Sequence, residues 1–294
     1  MQVPGTQLAL IADQIARHNP RPQILRTAIP GLSLYRRESD ETIDTDSGQM
    51  MVSLIAQGAK STRIGGTEKL YRAGECLACA LAVPAIFHTV GASSEAPFLS
   101  VSMRIDPAIV TDLAGGLFGA GAAPGDAGQT VSVFEPDADL SDAFLRLVKL
   151  LDSEQDCRVL GPLVTREIHY RLLLSPCGAA LRAGVAAGTA NSSILGVIAR
   201  IKRTYADLPA MDDLAREAHM SPSVFRRQFH VLTGLSPLQF VRRLRLFEAQ
   251  RRLFSEGIGV SQAAFAVGYS SPGQFIRDYR AFFGSTPLQD ARSR

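Results

Sequence analysis

Ser221-Pro222-Ser223-Val224-Phe225-Arg226-Arg227-Gln228-Phe229 returns fifty residues later as Ser271-Pro272-Gly273-Gln274-Phe275-Ile276-Arg277-Asp278-Tyr279. The same offset relates the tails Gly234-Leu235-Ser236-Pro237-Leu238-Gln239 and Gly284-Ser285-Thr286-Pro287-Leu288-Gln289. A repeat of this length is one supersecondary unit built twice. Each copy opens with serine, whose hydroxyl caps the free amides of a first helical turn. Proline follows, with its φ preset and no amide to lose. Helices are therefore expected to start at Ser221 and Ser271. Phe225 and Phe229, like Phe275 and Tyr279, are four apart and share one face, the core side. Gly234 and Gly284 stand where these helices should stop. Ser236-Pro237 and Thr286-Pro287 restart a helix by the same device.

A short helix of small residues precedes each copy, at 211–218 and at 260–267. Ala215 and Ala264 there permit close helix crossing. The turn is one residue longer in the second copy, from Ala264 to Ser271 against Ala215 to Ser221. Each unit thus reads as a helix-turn-helix. Residues 238–254, with Phe240, Leu244, Phe247, Arg251 and Phe254 at helical spacing, read as a long helix joining them. Arg242, Arg243, Arg245, Arg251 and Arg252 fall on its other face. A solvated surface and phosphate contact are both open readings of that arginine run.

This text resembles the DNA-binding domain of the AraC/XylS family of bacterial transcription regulators, over roughly residues 194–288. The resemblance implies two recognition helices entering successive major grooves of double-stranded DNA. Carried over by position, the base-facing residues are Ser223, Arg226 and Arg227 in the first unit, and Gly273, Gln274 and Arg277 in the second. Gly273 has no side chain to read a base edge, and Ser223 is short. Arginine suits guanine and glutamine suits adenine. Arg226, Arg227, Gln274 and Arg277 are therefore the expected readers, with Arg243 on phosphate.

Charge is divided along the chain. Residues 195–294 hold 15 Lys and Arg against 8 Asp and Glu, a net of +7, while the whole chain is +3. A basic reader beside an acidic partner is the asymmetry expected of a protein that touches DNA at one end. No leader or membrane-spanning run is read in the sequence, so a cytoplasmic location is expected. The four cysteines, Cys76, Cys79, Cys157 and Cys177, should then be reduced thiols.

The first part of the chain alternates differently. Residues 6–18 form an amphipathic helix with Leu8, Ile11, Ala12 and Ile15 on one side. Strand-like runs follow at 24–35, 49–57, 61–64, 68–72, 75–83, 86–90 and 98–105. Gly65-Gly66 signals a tight hairpin. Asp106 opens a helix. The glycine- and alanine-rich stretch 115–128 lacks the context of a phosphate loop. Two further helices carry Leu140, Phe144, Leu147, Leu151 and Leu160, Val164, Ile168, Leu172. These stripes read as core or, in part, as a dimer interface. Residues 183–193 read as a linker.

This half resembles the N-terminal module that precedes AraC-type readers. The resembling text includes Thr27-Ala28-Ile29-Pro30-Gly31-Leu32, Leu54-Ile55-Ala56-Gln57-Gly58-Ala59-Lys60, and Leu160 to Leu173 around Arg166-Glu167-Ile168. It implies a cupin-like barrel with helices, serving as sensor and dimerisation domain. The expected fold is thus α+β in two domains. A cupin-like β-barrel with flanking helices occupies 1–182, a linker 183–193, and an all-α double helix-turn-helix domain 194–294.

Three functions stand open. The first is an effector-gated transcription regulator, expected to be an activator. Its partners would be DNA, a small molecule, a second copy in a homodimer and, by resemblance, RNA polymerase. Its effector contacts are expected among Met51, Ser53, Ile55, Tyr71, Cys76 and Phe87. The second is a thiol sensor using Cys76 and Cys79. The third is a metal-dependent cupin enzyme fused to a reader. It is disfavoured because His88 is the one histidine in the strands, and a lone histidine there is expected to be packed. No cofactor is expected.

Overall fold

The structure is a computed structural model that describes residues 5–44, 50–64, 67–80, 86–119, 131–185 and 190–292. It divides into two compact units, Met1–Ala187 and Gly188–Arg294.

The first unit begins with α1 (Gly5–His18), followed by β1 (Ile24–Arg26), β2 (Leu32–Arg37), β3 (Thr42–Asp44), β4 (Met51–Gln57), β5 (Ala59–Ile64), β6 (Thr67–Arg72), β7 (Cys76–Cys79), β8 (Ile86–Val90) and β9 (Phe98–Arg104). After α2 (Pro107–Phe118) and β10 (Val131–Phe134) come α3 (Ala138–Lys149), α4 (Glu154–Val159), α5 (Gly161–Leu174) and α6 (Gly178–Val185). The strands form two sheets. One has the order β1-β2-β9-β4-β7-β10 and the other β3-β8-β5-β6. Among the described residues their ladders do not join, so the strands are two hydrogen-bonded sheets rather than one closed ladder.

The larger sheet is covered on both faces. Val52, Leu54, Cys76, Ala78, Val101 and Met103 pack with Ile11 and Ile15 of α1, Phe144 and Val148 of α3, and Ile168 and Leu172 of α5. The apolar stripes of α3 and α5 are therefore mainly core, although Leu160 is exposed. Alternate residues of the same strands, Ser53, Ile55, Leu77, Cys79, Phe98 and Ser100, are also buried but lie outside that cluster. They face the smaller sheet, as the meeting of Phe98 with Lys60 of β5 shows. Gly58 is the corner where the chain passes from one sheet to the other. Its φ is +82, and a Cβ there would sit 3.2 Å from the Phe98 Cα. Glycine answers both demands.

Several expectations need correcting. The run 24–35 is two antiparallel strands, paired Ile24↔Tyr35 to Arg26↔Ser33. Gly31, with φ +84, reverses the chain between them. β3 and β10 carry too few residues to show a period. His88 is not packed inside but exposed on β8. β5 and β6 pair Ile64↔Thr67, as a two-residue hairpin requires; Gly65 and Gly66 lie outside the described residues. So does most of the stretch 115–128, whose first four residues end α2. The linker expected at 183–193 is helical at both ends, where α6 and α7 continue; the segment 186–189 lies outside the described residues.

The second unit is helical: α7 (Ala190–Thr204), α8 (Met211–Glu217), α9 (Pro222–Thr233), α10 (Pro237–Ser255), α11 (Val260–Ala266), α12 (Pro272–Phe283) and α13 (Pro287–Arg292). Two of the serine caps do what the sequence asks. Ser221 accepts from the Val224 amide, and Ser236 forms a reciprocal capping box with Gln239. Ser271 makes no such side-chain bond. Gly234 and Gly284 end their helices in the left-handed conformation, at φ 69 and 84.

Candidate nucleic-acid interface and the interior of the sheet unit

Each recognition helix is fixed from behind by aromatic packing. Phe225 meets Phe229 edge-on at 5.6 Å, and Phe229 meets Phe240 of α10 at 5.5 Å. In the second unit Phe275 lies between Tyr269 and Tyr279, at 5.3 and 5.5 Å. Buried Thr233 donates its hydroxyl to the Phe229 carbonyl and accepts from the Leu235 amide, which seals the end of α9. With one face anchored, the opposite face is displayed. Ser223, Arg226 and Arg227 are exposed on α9, and Gly273, Gln274 and Arg277 on α12.

The arginines of this unit fall into two groups. Arg200 pairs with Glu217, Arg216 with Asp213, and Arg242 with Asp278. Arg251 and Arg252 both bind Glu248. Arg245 donates to three carbonyls, those of Tyr205 at 2.7 Å, Gly268 at 2.8 Å and Ala206 at 3.3 Å. The arginine run on α10 is thus largely intramolecular, and Arg245, Arg251 and Arg252 are structural. Arg243 lies 5.5 Å from the Phe282 ring. In contrast, Arg226, Arg227 and Arg277 form no ion pair among the described residues. The Arg277 guanidinium lies over Gly273, 3.9 Å from where a Cβ would be. A Cβ at 273 would meet it at ordinary van der Waals distance. The Ser223 hydroxyl is near the Ser221 hydroxyl at 3.3 Å.

Sequence reasoning passes over Ile276, which is exposed on α12. It occupies the position of Arg226 at the fifty-residue offset, whereas Gln274 corresponds to half-buried Val224. Strict use of the repeat register finds it. An apolar side chain on a reading face suits a thymine methyl.

In the sheet unit, Ser53, Ile55, Tyr71 and Phe87 are buried between the two sheets, and Met51 lies on the same face of β4. Cys76 does not join them. It sits in the helix-side core, near Cys177. Cys79 takes the inward place, close enough to Lys60 for their charges to interact. Lys60 itself escapes the sequence reading, which starts the strand one residue later; the alternation carried back from Thr62 includes it. Its side chain is 1% exposed. Its ammonium lies 4.5 Å from the Phe87 ring centre, 5.5 Å from Tyr71 and 5.9 Å from Phe98. Burial lowers its pKa from 10.5 to about 8. Burial also pushes the Cys79 thiol up to about 12 and the Cys76 thiol well above its ordinary value. Neither is a thiolate at neutral pH, so neither has the reactivity of a low-pKa sensor thiol. Among the described residues, no three His, Cys, Asp or Glu side chains are grouped to hold a metal ion.

Comparison with known proteins agrees with both halves. Residues 28–180 match the AraC-type transcriptional regulator N-terminus, and residues 214–293 match a helix-turn-helix domain. The transcriptional regulator CdhR of Pseudomonas aeruginosa is 32% identical over 132 residues, which are 45% of this chain and 37% of CdhR. The transcriptional activator RhaS of Pectobacterium atrosepticum is 26% identical over 100 residues, 34% of this chain and 36% of RhaS. These matches span little more than a third of those relatives' length. A single-residue variant of ToxT from Vibrio cholerae, in its apo form, shares the fold over 91% of this chain and 99% of its own, at TM-score 0.61 and 11% identity. With the N-terminal match covering more than half of the sequence and the helix-turn-helix match covering the displayed arginines, the chain belongs to the AraC-type transcriptional regulators.

Proposed function

We propose that this protein is a sequence-specific DNA-binding transcription regulator, gated by a small molecule held in its sheet unit. The observation that carries this reading is the selective freedom of the recognition-helix arginines. Most arginines around them are tied to carboxylates or carbonyls, while Arg226, Arg227 and Arg277 are displayed on two successive reading helices with no ion pair among the described residues. Arg226, Arg227, Gln274 and Arg277 read base edges, Ser223 positions, and Arg243 contacts phosphate. On this reading 1–182 is the sensor and dimerisation part, with the two sheets as walls of a cupin-like barrel, and 183–193 connects it to the reader at 194–294. The working form is a cytoplasmic homodimer without enzymatic activity that meets RNA polymerase at the promoter and acts as an activator. Gating is linkage: an effector shifts the reader only by its differential affinity for two arrangements. A ToxT structure with an unsaturated fatty acid bound supports ligand-taking in this fold.

The test is selection of genomic fragments by the purified protein near physiological salt, followed by variants on the recovered site. A shared two-part site is expected. Arg227→Ala and Arg277→Ala should each cost about 1–3 kcal/mol and relax base preference. Arg243→Ala should weaken all sequences alike and flatten the salt slope. Unchanged affinity and preference in both reading variants would sink the assignment.

A further inference from the structure

Lys60 is an unusual tenant for the space between two sheets. Around it stand three aromatic rings, on β6, β8 and β9. Among the described residues no carboxylate pairs with it. The titratable neighbours acting on it are Cys79 and, through its ring, Tyr71. Both are held neutral by burial. Buried ammonium groups are ordinarily paired.

Further groups in this interior share the deficit. The hydroxyls of Tyr71, Ser53 and Ser100 are buried and have no hydrogen-bond partner in the structure. Tyr71 is the direct cross-strand partner of Lys60. Ser100 is opposite Ile55 and two residues from Phe98 on the same face of β9, and Ser53 is two residues from Ile55 on the same face of β4. By contrast, the neighbouring polar side chains are satisfied: Ser102 donates to the Val52 carbonyl and Thr89 to that of Ser39. The set is three unsatisfied hydroxyls and one ammonium that pairs with no carboxylate among the described residues, all able to donate. No acid is among them, so a cationic ligand would find like charge and no counter-ion. The walls are apolar, through Ile55, Leu77, Phe87 and Phe98.

We infer that the space between the two sheets binds a small organic monocarboxylate, its carboxylate on the Lys60 ammonium and the Tyr71, Ser53 and Ser100 hydroxyls, its apolar body against Ile55, Leu77 and Phe87. This rests on the effector-gated reading above and names the ligand chemistry and the anchor. Lys60 supplies the charge and Tyr71 directional hydrogen bonding, while the rings hold the ammonium in place before the ligand arrives. Fixing it beforehand lowers the ordering cost of binding.

The test is calorimetric titration of the full chain with straight-chain monocarboxylates from acetate to decanoate and with benzoate and phenylacetate, each beside its neutral primary amide. At least one carboxylate should bind, with its amide roughly 30-fold or more weaker, because the amide leaves the buried ammonium unpaired. Lys60→Met should abolish that preference, and Tyr71→Phe should weaken carboxylate binding alone. The amide comparison needs no variant and so stands even if Lys60→Met fails to fold. Absence of binding across the series, equal binding of acid and amide, or a preference that survives in folded Lys60→Met would overturn the inference. Operator affinity, measured in parallel, separates the two readings. Carboxylate binding that needs Lys60 but leaves operator affinity unchanged keeps the site and removes the gating. Effector-dependent operator binding indifferent to Lys60→Met keeps the gating and removes this site.

Discussion

Replacing Lys60 with methionine should make the ligand-free protein more stable, not less. The fall of its pKa from 10.5 to about 8 on burial corresponds to roughly 3 kcal/mol of preference for the neutral amine. Three rings within 6 Å work against this cost, and a desolvated cation–π contact is worth up to about 2 kcal/mol. Whatever the rings return raises the folded-state pKa by the same free energy, so about 3 kcal/mol is the ceiling of the penalty at pH 7 and about 8 is the lowest pH at which it begins to lift. Methionine fills similar volume and packs well on aromatic rings, and Lys60→Met should recover up to that amount. The sign with pH follows from proton binding. Below about 8 the lysine is protonated both folded and unfolded, and the penalty is complete. Between 8 and 10.5 the unfolded chain holds more protons than the folded one, so the wild type gains stability as pH rises. The advantage of Lys60→Met should therefore shrink across that window and vanish above it. The four cysteines offer the assay, since all are buried and all lie in the sheet unit. Thiol labelling against urea reads that unit separately from the helical one. A variant less stable than wild type at pH 7, or a difference constant from pH 7 to 10.5, would refute the reasoning.

Three further outcomes follow from the geometry. Gly268→Ala should cost at least about 2 kcal/mol in thermal unfolding of the helical unit, because φ is +89 and the new Cβ would lie 2.1 Å from the Ala206 carbonyl oxygen. Gly257→Ala, at φ +63 but with nothing within 4 Å, should cost only about 1 kcal/mol. Cys76→Ser with Cys79→Ser should leave induction intact, and both native thiols should label far more slowly than an exposed cysteine. Rapid labelling and lost induction would restore the thiol-sensor reading.

The reader was legible because its signals are local. Ser221, Pro222 and Gly234 state where α9 begins and ends within a dozen residues, and Ser236 with Gln239 does the same for α10. The sheet unit was legible in kind but not in facing. β7 is buried at all four positions, because one face meets helices and the other meets the second sheet. Burial on both sides erases the alternation that would assign Cys76 outward and Cys79 inward, and a one-residue error reverses every assignment. Lys60 was hidden for a related reason. A lone lysine at a strand start reads as surface until Tyr71, Phe87 and Phe98 are brought around it from β6, β8 and β9. Arg245 failed similarly: its charge suggests phosphate, and only the fold places three carbonyls before it.

Arg245 also has a consequence for the operator. One guanidinium clamps α10 to the loop carbonyls of Tyr205 and Ala206 and to Gly268, in the turn of the second helix-turn-helix. Arg245 thus braces the long helix against the segment before α8 and against the second turn, which restricts how far the two readers shift against one another. One inserted base pair between half-sites displaces the second by about 3.4 Å and rotates it by about 34°. A braced pair of readers passes that change to the duplex, which then twists to meet it at an elastic cost. Spacing mutations in the operator should then be as damaging as mutations of the bases themselves, and positions untouched by any side chain should still matter.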